Sequence, residues 1–396
     1  MASQEMYQLG AQSSVIRELF TYGQQQAAIV GKENVFDFSI GNPTVPAPDC
    51  IQEAITEILH TRASSAIHGY TAAAGDLAVR QGLADYMNQL YQAGVTAGDF
   101  YMTCGAAASL TITLKAVVES PDDEVILIAP FFPEYTVFVQ NAGAKSVVVP
   151  PDTRHFQVSL EALAQAITPH TRAVIVNSPN NPSGVVYSAE TYKAVAALLK
   201  EKSAQAGHPI YLISDEPYRE IIYDDLPILY VPSFYGNTII CYSYSKSLSL
   251  PGERIGYILV PPGVTDSQTV YTAVCGAGRS MGFVCAPHLF QDVVLKCLGQ
   301  TSDMKLYDDN RRLLYNGLTE IGYHCVYPSG AFYLFVKSPE SDAKAFAEKA
   351  KALNLLIVPA DSFGCPGYVR ISYCVDPDMI RRSFAAFRAL WNQYQQ

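Results

Sequence analysis

Four stretches of the chain put reactive side chains just past a short apolar run. Lys246 lies in CYSYSKSLSLPGERIGY, among Ser243, Ser245 and Ser247, with Arg254 eight residues further on. An amine among hydroxyls with a guanidinium nearby suits covalent capture of a carbonyl beside a phosphate subsite; the plain alternative is a solvated surface lysine. Asp215 closes LISD, and Tyr218 follows in EPY. A carboxylate there is costly to bury unless paired, so it either faces a protonated ring nitrogen or caps a helix. Val176–Gly184 reads VNSPNNPSG, with Asn181 just before Pro182. Asparagine both donates and accepts, which suits a ring hydroxyl, although N-P and S-G also mark ordinary turns. In TCGAAASL, Gly105 allows a tight turn, and Ala106 and Ala107 would open a helix whose bare N–H groups suit a phosphate. An ordinary strand–helix turn fits the same string.

These segments need a scaffold that brings strand ends together. Short β-rich runs are expected at Phe100–Cys104, Glu124–Ala129, Lys145–Val149, Arg172–Asn177, Ile210–Ser214, Thr238–Ser243 and Ile255–Val260, with helical spacing between them, as in Ala189–Ala204. The alternation predicts an α/β fold: a three-layer αβα unit around a mostly parallel sheet. Ligands of such sheets lie beyond the carboxyl ends of the strands. After Ala286 the pattern changes to a long helical region from Pro287 to about Gly322. Strands follow at Ala331–Val336, Leu355–Val358 and Tyr368–Tyr373, and a final helix at Asp376–Gln393. The expectation is a large domain over 46–288 and a smaller α+β domain built from 1–45 and 289–396.

Composition narrows the class. The chain has 396 residues, 49% hydrophobic and 16% charged, with a formal net charge of −10. That length can bury a large core without disulfide or metal staples. The acidic balance and the lack of a Lys/Arg cluster argue against nucleic acid as a partner. Apolar stretches such as Val125–Phe132 are far short of a membrane span, and the first residues lack a basic-then-apolar leader pattern. Nine cysteines without a CxxC pair, and no HExxH, argue against a metal site and fit reduced thiols in a cytoplasm. The 26 tyrosines have no explanation at this level.

Taken together, SPNNPSG, SDEPY, SYSKSLSLPGERIGY and YVRISY resemble the class I/II aminotransferases of fold type I, which use pyridoxal 5′-phosphate, and the resemblance spans essentially the whole chain. It implies that Lys246 is the Schiff-base lysine and proton shuttle. Asp215 would pair with the ring nitrogen, Asn181 and Tyr218 would hold the ring's phenolic oxygen, and Phe132 would stack on the ring. The phosphate would be held at Gly105–Ala107 and by Ser243, Ser245 and Arg254. Arg370 would clamp the substrate α-carboxylate, with backbone from Gly41 and with Asn181. Tyr70 would reach the phosphate of a neighbouring subunit, which implies a homodimer with shared sites.

The substrate side chain is less marked. One aspartate-using branch carries a lysine in the loop where this chain has Gly105–Ala107. Arg279, in CGAGRSMGF, is the candidate reader of a distal carboxylate from across a dimer. Amino transfer to a 2-oxo acid such as 2-oxoglutarate, with aspartate the favoured donor, is the expected reaction. The same scaffold also serves C–S β-lyases and aminotransferases for aromatic or alanine-type substrates. A regulatory role is disfavoured, because no winged-helix segment or basic patch is present.

Overall fold

The structure, a computed structural model, describes residues 2–11 and 15–395. The seven strands expected between Phe100 and Val260 form with ends within one residue of expectation: β1 (Phe100–Thr103), β2 (Glu124–Ile128), β3 (Lys145–Val149), β4 (Thr171–Asn177), β5 (Tyr211–Asp215), β6 (Thr238–Ser243) and β7 (Gly256–Leu259). They make one sheet in the order β1-β7-β6-β5-β4-β2-β3. Helices cover both faces. Val125, Leu127, Ala173, Ile175 and Ile213 pack into one core, and Ile126, Ile128, Val174, Val176 and Leu212 into another. Two buried faces explain why these strands read as unbroken apolar runs.

β7 alone runs against its neighbours. Its first residue, Gly256, therefore lies level with Thr103 and Ser243, the last residues of β1 and β6. The reversal delivers Arg254, which precedes a strand, to the same sheet edge as residues that end strands. Crowding there requires glycine, since a Cβ on Gly256 would lie 2.2 Å from the Tyr242 carbonyl oxygen and 3.1 Å from the Gly105 Cα.

A second, antiparallel sheet contains β8 (Cys325–Val326), β9 (Tyr333–Lys337), β10 (Val358–Pro359) and β11 (Tyr368–Ser372), ordered β10-β11-β9-β8. Its core includes Tyr307, Leu314, Phe332, Phe346, Ile380 and Phe387. Two expectations are corrected. The helical region after Pro287 is two helices, His288–Lys296 and Met304–Ile321. They are separated where Gly299 takes a φ of +78° and Asp303 caps the next helix through the N–H groups of Lys305 and Leu306. The stretch Leu355–Val358 is not one strand either. Leu355–Leu356 pairs in parallel with Phe36–Asp37, and Val358 begins β10. Among the described residues, no helix is long and apolar enough to cross a membrane.

Candidate active site

A cavity of about 360 Å³ lies where β4, β5 and β6 end, and Arg370 of β11 reaches it from the second sheet. Of the residues singled out by sequence, Gly41, Ala106, Ala107, Phe132, Asn181, Asp215, Tyr218, Ser243, Ser245, Lys246, Arg254 and Arg370 all line it.

Lys246 sits on a single turn of helix, Tyr244–Ser247, directly after β6. Its Nζ donates to the Gly41 carbonyl at 2.6 Å. Burial, reinforced by the Arg254 and Arg370 charges, pulls its pKa down to about 8, against a weaker opposing effect of Cys374. Asp215 is buried at the end of β5 and is pushed up to about 7, chiefly by burial. The Tyr135 hydroxyl donates to its Oδ2, while Oδ1 has no protein partner.

The opposite end of the cavity is an anion cradle. The helix Ala106–Val117 begins there behind Gly105, whose φ is +85° and on which a Cβ would lie 2.8 Å from Arg254 Nη2. The hydroxyls of Ser243 and Ser245 lie 2.7 Å apart, and Arg254 Nη1 donates to Ser245 Oγ at 3.4 Å. Arg370 is buried at 2% exposure. Its Nη1 donates to Asn181 Oδ1 at 3.0 Å, its Nη2 donates to the Ser39 carbonyl, and its Nε has no protein partner.

A family model described as "Aminotransferase class I and II" matches residues 33–387. The chain belongs to the class I and II aminotransferases. A solved amino transferase from Eubacterium rectale is 56% identical, with a TM-score of 0.99 and full coverage of both chains. The aspartate aminotransferase of Thermotoga maritima is 30% identical over 88% of this chain and 89% of its own. A probable N-acetyl-LL-diaminopimelate aminotransferase of Bacillus subtilis is 29% identical over 88% of this chain and 87% of its own.

Members of this aminotransferase family use pyridoxal 5′-phosphate, and the cavity fits it on its own chemistry. The unpartnered, buried Asp215 Oδ1 calls for a cationic or N–H partner. The cradle at Gly105, Ser243, Ser245 and Arg254 suits a phosphate dianion. A buried amine of lowered pKa lines the same cavity.

Four expected residues behave differently from the rest. Gly105 shapes the cradle from behind. Tyr70 is 90% exposed and lies outside the cavity of its own chain. Arg279 is exposed near the end of the helix Ser267–Ser280 and also lies outside the cavity. Gly41, whose backbone is expected at the substrate carboxylate, lines the cavity, and its carbonyl here accepts from Lys246.

Among the lining residues that sequence reasoning missed, two tie the site together. Asn177 donates to the Asp215 carbonyl at 2.9 Å and accepts from the Asn181 N–H at 2.8 Å, tying the ends of β4 and β5 together. Tyr333 shares a hydrogen bond with the Tyr218 hydroxyl at 2.9 Å, and the Arg370 guanidinium lies 4.7 Å from its ring centroid. A Cβ on Gly41 would lie 2.1 Å from the Tyr333 hydroxyl, so glycine is required beside it. Asn177 stood in the string already marked as a strand end. Tyr333 lies in GAFYLF, which reads as core.

Proposed function

We propose that this aminotransferase moves the amino group of an L-amino acid, aspartate favoured, to a 2-oxo acid such as 2-oxoglutarate, with Lys246 as the reacting amine. The observation that carries the reading is the convergence of Lys246, Asp215, Arg254 and Arg370 on one cavity. When bound, pyridoxal phosphate supplies an aldehyde for the amine and a ring that takes up the electron pair left when the Cα–H bond breaks.

The chain's own residues do the rest. Arg254, Ser243, Ser245 and the N–H groups of Ala106 and Ala107 hold the phosphate, and Phe132 covers the ring. Asp215 keeps the ring nitrogen protonated. Tyr218 and Asn181 hold the ring oxygen. Arg370, braced by Asn181 and Tyr333, grips the α-carboxylate and turns the Cα–H bond towards Lys246. Lys246 Nζ, with its pKa near 8, takes the Cα proton at near-neutral pH and returns it.

We extend the proposal to a homodimer. The 90% exposure of Tyr70 supports it, since a phosphate contact from that residue has to be made to a second copy. The division at 45/46 and 288/289 is part of the same reading, with the four-stranded sheet carrying Arg370 towards the larger one. Nine free thiols support a reducing compartment, proposed as the cytoplasm.

Aspartate rests on the relatives bearing that name and on Arg279 acting from a second copy. Arg279→Ala is therefore expected to raise the KM for aspartate roughly tenfold or more while sparing alanine, as loss of one charge-assisted contact would. Unchanged aspartate kinetics, measured with 2-oxoglutarate as acceptor, would remove Arg279 from the site. Apolar donors are the second reading, favoured by Ile16, Ile40, Leu110 and Phe138 in the cavity wall.

A further inference from the structure

Behind the cavity floor lies a buried ionic cluster that the reaction scheme does not use. Arg219 is 7% exposed. Its Nη1 donates to Glu216 Oε2 at 3.3 Å, its Nε to Glu220 Oε1 at 3.2 Å, and its Nη2 to the Tyr257 hydroxyl at 3.0 Å. The guanidinium carbon lies 4.1 Å from the centroid of the Tyr242 ring. Tyr242 in turn donates to Glu220 Oε1 at 2.9 Å and shares a 2.9 Å hydrogen bond with Ser247 Oγ. Glu216 also accepts from Ser214 Oγ at 2.7 Å.

The sequence positions in this cluster are informative. Glu216 follows Asp215, Arg219 follows Tyr218, and Ser247 follows Lys246. The first member of each pair lines the cavity; the second points away from it into the cluster. The Arg219 guanidinium thus bonds directly to Glu216 behind Asp215, stands behind Tyr218 by its own place in the chain, and reaches Ser247, behind Lys246, through the Tyr242 ring and hydroxyl. We propose that Arg219 is a positioning residue, which through Glu216 and the Tyr242–Ser247 link holds Asp215 and Lys246 in their working geometry and offsets the negative charge behind Asp215. The proposal rests on the reading of Asp215 and Lys246 given above.

The charge balance makes the position sensitive. Two carboxylates, Glu216 and Glu220, meet one guanidinium, and Glu220 Oε2 has no partner. Burial raises the Glu216 pKa, and Arg219 opposes that rise. Glu216 in turn pushes the Asp215 pKa upward. The other groups facing Asp215 are Tyr135, Tyr218 and Cys241. Around Arg219, Tyr86, Tyr91, Tyr230 and Tyr244 complete the shell, and all four have raised pKa values led by burial. The hydroxyls that bond within the cluster are those of Tyr242 and Tyr257, which satisfy Glu220, Ser247 and Arg219 without adding charge and account for part of the tyrosine surplus.

The test uses the loaded enzyme and reads the pH midpoint of the cofactor's visible absorbance. Arg219→Met leaves the floor more negative, which favours the protonated form of the lysine-bound cofactor. The midpoint is expected to move up by about one unit or more, with kcat down roughly tenfold or more and the amino-acid KM within about twofold. Adding Glu216→Gln to Arg219→Met is expected to bring the midpoint back towards wild type. Arg219→Lys keeps the charge but cannot reach Glu216 and Tyr257 together, so it is expected to hold the midpoint with a reduced kcat. A folded Arg219→Met enzyme with wild-type midpoint and kcat would overturn the proposal. So would an unfolded Arg219→Met alongside an Arg219→Lys enzyme identical to wild type, since Arg219 would then serve folding alone. Absence of a pH-dependent visible band in the wild-type protein would instead refute the site reading on which the proposal rests.

Discussion

Asp215→Asn is expected to stabilise the cofactor-free protein while disabling the enzyme. The native pKa of Asp215, pushed up to about 7 from an ordinary 3.8, means that folding favours the protonated carboxyl. Its contribution to stability is fully present below pH 3.8 and is lost as pH rises through 7. Above that, the ionised group costs up to about 4 kcal/mol. Asparagine keeps an acceptor for the Tyr135 hydroxyl and carries no charge. The variant should therefore melt above wild type at pH 8 without cofactor, and the gap should close towards pH 4. The wild type should gain more from the cofactor than the variant does, because only the carboxylate pairs with a protonated ring nitrogen. The kcat should fall roughly 10²–10³-fold, as when one preorganised electrostatic partner is removed. Equal apo melting points at pH 8, measured by calorimetry, would contradict the buried and unpaired state of Asp215 Oδ1.

Lys246→Ala carries the largest expected loss. It removes both the covalent anchor and the group that moves the Cα proton, and general acid–base catalysis alone accounts for as much as roughly 10⁴-fold. The variant should still bind pyridoxal phosphate through Arg254 and the serine hydroxyls, but borohydride should fix no label to the chain. The wild-type lysine adds a pH signature. With a pKa near 8, roughly a tenth of the amine is free at pH 7, against well under a thousandth at the ordinary 10.5. Reconstitution of the apoenzyme should accelerate as pH rises and level off above 8. A rate still climbing past pH 10 would mean that burial does not lower this lysine's pKa. Label retained in Lys246→Ala would move the reacting amine elsewhere.

Much of this arrangement was legible from local strings, because the segments concerned are short and each carries its own signal. Six strands of the main sheet are largely buried, the edge strand β3 alone being mostly exposed, and all seven are bounded by turns, so their limits fell within a residue of expectation. Asp215 ends such a strand, and Lys246 and Asn181 follow others within four residues. Arg254 is different. Its spacing from Lys246 marked it as a phosphate candidate, but it reaches the cavity because β7 runs backwards, and nothing in ERIGYILV marks a strand's direction. Tyr333 was missed because its role lies in partners far away in sequence, Tyr218 and Arg370, and its own string reads as core. Arg219 carries no signal of its own in EPYRE, since its burial depends on Tyr242 and Tyr257 meeting across β6 and β7. The broken helix after Pro287 was a missed local signal: Gly299 and the Asp303 cap are both visible in CLGQTSDM.

The central claim is amino transfer through a cofactor bound at Lys246, and a half-reaction tests it most directly. The purified, loaded enzyme is mixed with an amino acid donor and no 2-oxo acid, and the visible cofactor band and released products are followed. Amino transfer requires loss of the band, release of one 2-oxo acid per chain, and then arrest until 2-oxoglutarate restores the band. Continuous release of a 2-oxo acid with free ammonia, from cystathionine or any other donor, would contradict it and identify a lyase.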